Sequence, residues 1–230
     1  MFFNKLILIV LLGLLSGCAA TIHIPTTDNL VPINLKLPSN QEKFFSGLFL
    51  ADDGQGNRLR YAIQFVEPTK LRIELYPTTS FYQLGLLVVD GRKYRFISAN
   101  DGQNEIGDFT PSVLQQNIGL EFTIEQLVSA VLQKIPSTIS DYTFYSDNNG
   151  NYYVFSLDNS FIGIFNQENL TPKEFFYFSD NSLVAKLVID TMTPNCKLQV
   201  IIPKYDAKIN VECLMFKTDK VPSESRFSLD

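Results

Sequence analysis

Cysteine thiols are the most reactive side chains in this sequence, and their positions divide them into two groups. Cys18 follows the small residues Ser16 and Gly17 near the start of the chain, whereas Cys196 and Cys213 lie near its end. A thiol can be acylated, oxidised to a disulfide or used as a metal ligand. The spacing therefore predicts one chemistry for Cys18 and another for the later pair.

The residues before Cys18 have the organisation of an export signal. Lys5 makes the start weakly basic, and Leu6–Leu15 follows as an apolar run. At about ten residues this run has the length of a secretory signal, whereas a membrane-spanning helix needs about 20 apolar residues. The segment is therefore predicted to direct export and then to be removed.

Residues Leu15–Cys18 are similar to the bacterial lipobox. That resemblance implies a signal peptide of residues 1–17, a diacylglyceryl group on the Cys18 thiol and further acylation of the Cys18 amine. Two or more acyl chains anchor a protein stably. Ala19 rather than Asp follows the cysteine, which for this class of lipoprotein favours the outer membrane. The alternative is an ordinary secretory signal cut near Ala19 or Ala20.

The later pair of cysteines has the spacing of opposed residues on two antiparallel strands. The segments CKLQVII and INVECLMF flank PKYDAK, and if Pro203 faces Asp206 then Cys196 faces Cys213. Opposed residues bring their Cβ atoms to about 4.5–5.5 Å, close to the spacing of a disulfide. In an exported protein this predicts a Cys196–Cys213 disulfide. The alternative is two reduced, buried cysteines.

No catalytic or metal-binding motif accompanies these cysteines. The single histidine, His23, lies five residues after Cys18, and the sequence contains no G-x-S-x-G or P-loop motif and no zinc-type Cys/His spacing. The stretch DNNGN at residues 147–151 is typical of a hairpin turn rather than a calcium loop. The sequence therefore predicts no enzyme, no metal and no cofactor.

The composition is that of an apolar, mildly acidic globular protein. Of the 230 residues 45% are hydrophobic, with 19 Phe, 10 Tyr and no Trp, and the net charge is -5. A protein without a broad basic surface is a poor ligand for nucleic acid, so nucleic-acid binding is not expected.

The chain divides into four segments. The signal peptide is followed by a proline-interrupted tether at residues 18–39, which would connect the lipid anchor to the folded body. Residues 40–220 are predicted to form the folded body, and residues 221–230 a polar C-terminal tail.

Most of the body has the period-2 pattern of half-buried strands. The segment RLRYAIQFV places Leu59, Tyr61, Ile63 and Phe65 on one face, and KLRIELY alternates in the same way. Asn149-Gly150 is a strong hairpin signal. The pattern predicts an antiparallel, mainly β protein of about eleven strands.

Two helices are predicted between the strands. A short helix begins at Thr110-Pro111. Thr123 and Gln126 then have the spacing of a capping box at the start of a longer amphipathic helix that Pro136 ends. The apolar face of this helix is broad enough to cover part of the sheet.

The arrangement resembles the LolA/LolB superfamily of bacterial lipoprotein-localisation factors, and LolB-like outer-membrane lipoproteins in particular. The resemblance is carried by FFSGLFLA, KLRIELYPTTSFYQLGLLVVDGRKY and GLEFTIEQLVSAVLQKIP and covers most of the mature chain. It implies an incomplete antiparallel β-barrel closed by a helical lid, with an interior that receives acyl chains. The sequence departs from LolB-like proteins in lacking Trp.

An acyl-binding interior would be lined by the apolar faces of the strands and of the lid helix. The predicted wall and lid residues are Tyr61, Ile63, Phe65, Leu71, Ile73, Leu75, Leu87, Val89, Leu127, Val131 and Leu132. Burying acyl methylenes is favourable by about 0.8 kcal/mol each. The alternative is that these residues pack a filled core, as in a closed β-sandwich.

The resemblance also implies a hydrophobic loop that delivers cargo to the membrane, for which Phe81 and Tyr82 are the candidates. It further implies a monomer on the periplasmic face of the outer membrane, with membrane lipid, acyl chains and a periplasmic LolA-like carrier as partners. The alternative is a non-transporting structural or assembly lipoprotein on the same scaffold.

Overall fold

The computed structural model describes residues 22–35, 43–80, 82–100, 102–118, 122–136 and 141–229. The predictions for the signal peptide, for Cys18 and for Phe81 concern residues outside these ranges.

The described residues form fourteen strands and two α-helices. In chain order they are β1 (Val31–Ile33), β2 (Phe44–Asp52), β3 (Arg58–Val66), β4 (Lys70–Pro77), β5 (Gly85–Asp90), β6 (Lys93–Ser98), β7 (Asn104–Asp108), α1 (Pro111–Ile118), α2 (Ile124–Leu132), β8 (Tyr142–Ser146), β9 (Asn151–Ser156), β10 (Phe161–Asn166), β11 (Pro172–Ser179), β12 (Ser182–Thr191), β13 (Lys197–Ile202) and β14 (Ala207–Lys217).

All fourteen strands belong to one open antiparallel sheet. Its order is β1-β8-β9-β10-β11-β12-β13-β14-β2-β3-β4-β5-β6-β7. Strands β2 to β7 form one meander and β8 to β14 another, and the pairing of β14 with β2 joins them. The helices lie in sequence between the two meanders, which confirms the predicted incomplete barrel with a helical lid.

The sheet has fourteen strands where the sequence predicts about eleven, and the strands that the pattern misses include β1 and β7, one at each edge of the sheet. Val31–Ile33 falls in the predicted tether but pairs with β8, and Pro32 is tolerated there because an edge strand need not donate every N–H. β7 is mostly exposed, and Ile106 within it is 60% exposed. Edge strands that bury no apolar face carry no alternating pattern in the sequence.

The predicted alternation in the first meander matches the burial of its side chains. Ile63 on β3 lies opposite Ile73 on β4, which lies opposite Leu87 on β5. All three are buried in one hydrophobic cluster, on the face of the sheet that we call the inner face. Residues at intervening positions, such as Arg60 and Arg72, are on the outer face.

Both helices begin where the sequence predicts, but α2 ends before Pro136, the predicted end. Thr123 accepts a hydrogen bond from the Gln126 backbone N–H, and the Gln126 side chain accepts one from the Thr123 N–H, which completes the capping box. The helix stops at Leu132 because Gln133 adopts a left-handed conformation (φ 54°). The buried Gln133 amide holds that conformation by hydrogen bonds to the backbone of Thr191, the last residue of β12, and of Thr193.

The C-terminal segment packs on the outer face of the sheet. The Arg72 guanidinium donates to the carbonyl of Arg226 at 2.9 Å, and that of Arg95 donates to the carbonyl of Leu229 at 3.2 Å. Phe227 between these carbonyls is 1% exposed, and the outer-facing Val88 of β5 is equally buried. The predicted polar tail therefore includes a buried aromatic anchor.

Candidate acyl-binding cavity

An apolar cavity lies between α2 and the inner face of the sheet. Residues from both meanders, from α2 and from the segment before it form its walls. The lining consists of Phe49, Ala51, Tyr61, Ile63, Ile73, Phe122, Leu127, Ala130, Val131, Leu187, Cys196, Leu198, Val200, Ile209 and Val211. None of these side chains carries a formal charge near neutral pH, so the cavity suits a hydrocarbon.

The size of the cavity limits what fits without rearrangement. Its volume is about 140 Å³. An apolar cavity of about 150 Å³ in another protein holds one benzene molecule. The structure therefore has room for a short segment of an acyl chain, and a complete chain has to displace lining side chains or the lid.

Hydrogen bonds fix α2 to the second meander. The Ser129 hydroxyl lies 3.0 Å from the Tyr177 hydroxyl of β11, and the Gln126 amide donates to the carbonyl of Phe178 at 3.3 Å. Gln133 adds a bond to the carbonyl of Thr191 at 3.2 Å and accepts one from the N–H of Thr193 at 2.9 Å. These bonds place Leu127, Ala130 and Val131 over the cavity.

The structure brings five of the predicted wall and lid residues together at the cavity. Three lie on the first meander and two on the lid: Tyr61, Ile63, Ile73, Leu127 and Val131. Strands and lid therefore contribute to one cavity, as the two amphipathic patterns predict when combined.

The other six predicted residues are buried beside the cavity but do not line it. They are Phe65, Leu71, Leu75, Leu87, Val89 and Leu132. Val113 and Leu114 of α1 belong to the same buried cluster. These six residues therefore contribute to a packed core, which is the alternative that the alternation allowed.

Sequence reasoning missed the part of the wall that comes from the second meander. Leu187 on β12, Leu198 and Val200 on β13, and Ile209 and Val211 on β14 line the cavity. Alternation within β13 and within β14 marks the last four as positions of one parity on each strand, but it does not say that they lie across from Ile63 and Ile73. Phe122 was missed because it precedes the helix rather than lying on its face.

Cys196 and Cys213 lie in the register that the sequence predicts. Lys197 pairs with Glu212 and Leu198 with Val211, which confirms the predicted pairing of β13 with β14. The N–H of Cys213 donates to the carbonyl of Cys196 at 2.8 Å. Both cysteines are free and buried in the structure, and the disulfide stays a prediction. The hydrogen bond with the Cys213 thiol, and then burial, raises the pKa of Cys196.

Tyr61 is the wall residue with a titratable phenol. Burial in the apolar interior raises the pKa of Tyr61 to about 12. Its hydroxyl is therefore protonated and neutral throughout the physiological range. Tyr61 therefore adds no charge to the wall near neutral pH.

We expect Tyr61 to make the protein less stable in alkali. Because its folded-state pKa lies above its ordinary value, the free energy of unfolding is unaffected by this group below about pH 10 and falls as the pH rises toward about 12. In urea titrations over that range, Tyr61→Phe should lose stability less steeply than the wild type. Parallel curves would contradict this, because the other tyrosines titrate in both proteins.

The connection between β4 and β5 contains the predicted membrane-insertion loop. The Tyr82 side chain is 60% exposed. Arg60 on the outer face of β3 donates to the carbonyl of Pro77 at 2.9 Å and to that of Ser80. One guanidinium therefore holds the start of this loop against the sheet while Tyr82 faces solvent.

Two absences hold for the part of the chain that the structure describes. No group of three or more His, Cys, Asp or Glu side chains is placed to hold a metal ion. No helix there combines the length and apolar composition needed to cross a bilayer.

An open antiparallel sheet with a helical lid over an apolar cavity is a fold that this chain shares with proteins of known structure. A LolA superfamily protein from Nitrosomonas europaea is 12% identical, with a TM-score of 0.50 over 83% of this chain and 92% of that one. The chain therefore has the fold of the LolA superfamily.

Two further structures superpose over similar lengths. A DUF1329 family protein from Desulfovibrio piger is 9% identical over 82% of this chain and 91% of its own, with a TM-score of 0.44. A putative outer membrane lipoprotein-sorting protein domain from Vibrio parahaemolyticus is 8% identical over 83% and 91%, with a TM-score of 0.44. No protein-family model matches this sequence, and no curated protein matches it.

Proposed function

We propose that this protein is a lipid-anchored carrier or acceptor that takes up the acyl chains of lipoproteins or lipids and helps insert them into the outer membrane. The observation that carries the proposal is the apolar cavity between α2 and the sheet, with Tyr61, Ile63 and Ile73 on one side and Val131 on the lid. The LolA-superfamily fold supports it.

The chemistry of the walls supports binding by hydrophobic transfer alone. An acyl chain that leaves a membrane exposes methylenes at a cost of about 0.8 kcal/mol each, and an apolar cavity offsets that cost without any specific contact. Transfer to a bilayer then needs only a small difference in free energy between the chain in the cavity and the chain in the membrane. Such a site would take acyl chains from different lipids and lipoproteins.

The proposal includes the anchor that the sequence predicts. Acylated Cys18 would hold the protein to the periplasmic face of the outer membrane. The segment from Cys18 to Val31 at the sheet edge could extend at most about 45 Å, at about 3.3–3.6 Å per residue. Tyr82, which is exposed on its loop, would contact the membrane, and a periplasmic LolA-like carrier would deliver cargo to the monomer.

Native mass spectrometry tests the proposal. A form that begins after Cys18 would be exported and purified without detergent. We expect about one acyl-bearing molecule per protein, either co-purified or acquired from an acylated lipoprotein, since one cavity takes one or a few chains. A mass that stays that of the protein alone in both experiments would overturn the carrier proposal.

One observation favours a second candidate. The cavity volume of about 140 Å³ is small for a whole acyl chain. A non-transporting structural or assembly lipoprotein with a mostly filled core would have such an interior. Crosslinking in cells separates the two, because an assembly subunit would be captured with protein partners and without acylated cargo.

A further inference from the structure

A second cavity lies at one end of the sheet, beyond the apolar one. Its volume is about 380 Å³, and it is bordered by α1, by the turn between β11 and β12, and by the 3-10 turn Pro203–Tyr205. Asp180, Ser182 and Lys204 are exposed, so this cavity opens to solvent. Polar groups reach it from each of these: Gln115, Ser179, Asp180, Ser182, Lys204 and Tyr205. Its polar groups make it chemically unlike the apolar cavity.

Phe122 contributes to the walls of both cavities. It is 3% exposed, and its ring lies 5.1 Å from that of Tyr177. Phe122 directly precedes the Thr123 cap of α2, where an apolar residue often packs against the fourth helical residue, here Leu127. The Phe122 ring is therefore a wall that the two cavities share.

The polar groups are carried by short turns with defined backbone conformations. Asp180 and Asn181 both have positive φ (49° and 61°), which is typical of a tight two-residue hairpin turn. The Lys204 ammonium lies 5.8 Å from the centre of the Tyr205 ring. The polar cavity thus offers one carboxylate, one ammonium, hydroxyls and one amide. These groups suit the head group of a lipid that is neutral or zwitterionic and forms hydrogen bonds.

We propose that the two cavities form one site for a single amphiphile. Its acyl chain would occupy the apolar cavity past Phe122, and its ester, amide or hydroxyl head would occupy the polar cavity beside Lys204 and Asp180. This rests on the proposed function and extends it, since it names the ligand as an acyl chain with a hydrogen-bonding, uncharged or zwitterionic head.

Photolabelling tests the position of each end of the ligand. The full acylated chain in nanodiscs would be labelled with two palmitoyl amides, one with a diazirine at the chain end and one with a diazirine in the head. We expect the tail probe to label peptides containing Ile63 and Val131, and the head probe to label residues 179–184 and 202–205. Labelling of the same cavity peptides by both probes would overturn the proposal.

Competition with unlabelled ligands tests the role of the polar groups. Monopalmitoylglycerol should displace the tail probe at a concentration about threefold to tenfold lower than methyl palmitate, because its hydroxyls form hydrogen bonds in the polar cavity. Lys204→Ala combined with Gln115→Ala should remove that preference. Lys208→Ala, at an exposed position on β14, should retain it.

The outcomes separate this inference from the proposed function. If both ligands displace the tail probe equally well, the apolar cavity binds acyl chains and the polar cavity contributes nothing, so only this inference is wrong. If neither probe labels a cavity peptide, the carrier proposal is itself wrong.

Discussion

Val131→Asp should strongly weaken acyl binding while the protein stays folded. Val131 lies on the lid and lines the cavity. A carboxylate there would place a charge against the hydrocarbon or would have to become protonated, and either costs free energy in an apolar site. We expect the affinity for a palmitoyl ligand to fall by about tenfold to a hundredfold, or about 1–3 kcal/mol.

Val128→Asp is the matched control. Val128 lies on the same helix and packs partly buried against the core, but it does not line the cavity. The two variants therefore introduce the same charge into the same lid. Circular dichroism would establish that both are folded, and native mass spectrometry would measure bound ligand. Equal binding by the two variants would exclude the cavity as the acyl site.

Phe175→Ala should be among the most destabilising single substitutions in the protein. Phe175 on β11 is fully buried, with its ring 5.2 Å from that of Phe161 and 5.6 Å from that of Phe165. Its removal would lose both the transfer free energy of the ring and the contacts of its neighbours. We expect the free energy of unfolding to fall by about 3–5 kcal/mol, measured by urea titration.

Tyr82→Ala removes an aromatic ring of similar size from an exposed position. The free energy of unfolding of this variant should stay within about 0.5 kcal/mol of the wild type, since the Tyr82 side chain is mostly exposed. The Phe175→Ala variant should still bind a palmitoyl ligand at temperatures where it is folded, because Phe175 does not line the cavity. A loss of binding without a loss of stability would contradict the assignment of Phe175 to the structural core.

The parts of the fold that bury an apolar face were predictable from the sequence. β3 and β4 alternate because one face meets the core, and α2 is recognisable from its Thr123–Gln126 capping box. β1 and β7 were not predictable, since each is held by pairing at a sheet edge. The end of α2 was placed too late because the Gln133 conformation depends on a distant backbone segment.

The cavity was only half predictable, for a related physical reason. Alternation identifies residues that face inward, but Leu71 and Ile73 alternate in the same way while only Ile73 faces empty space. Whether an inward-facing residue lines the cavity depends on which part of the interior the side chains of α2 fill. The contribution of Leu187 and Val211 depends on the pairing of β14 with β2, which no local pattern encodes.

That pairing also governs how the chain reaches its folded state. β2 is the first long strand of the sheet and β14 is the last, yet they are neighbours. Until β14 is present, β2 has an unpaired edge, and so does the incomplete second meander. Open edges of this kind promote aggregation, and contacts between distant segments form slowly. A chain truncated before Ala207 would therefore expose the edges of two unjoined half-sheets, and we expect it to aggregate rather than fold.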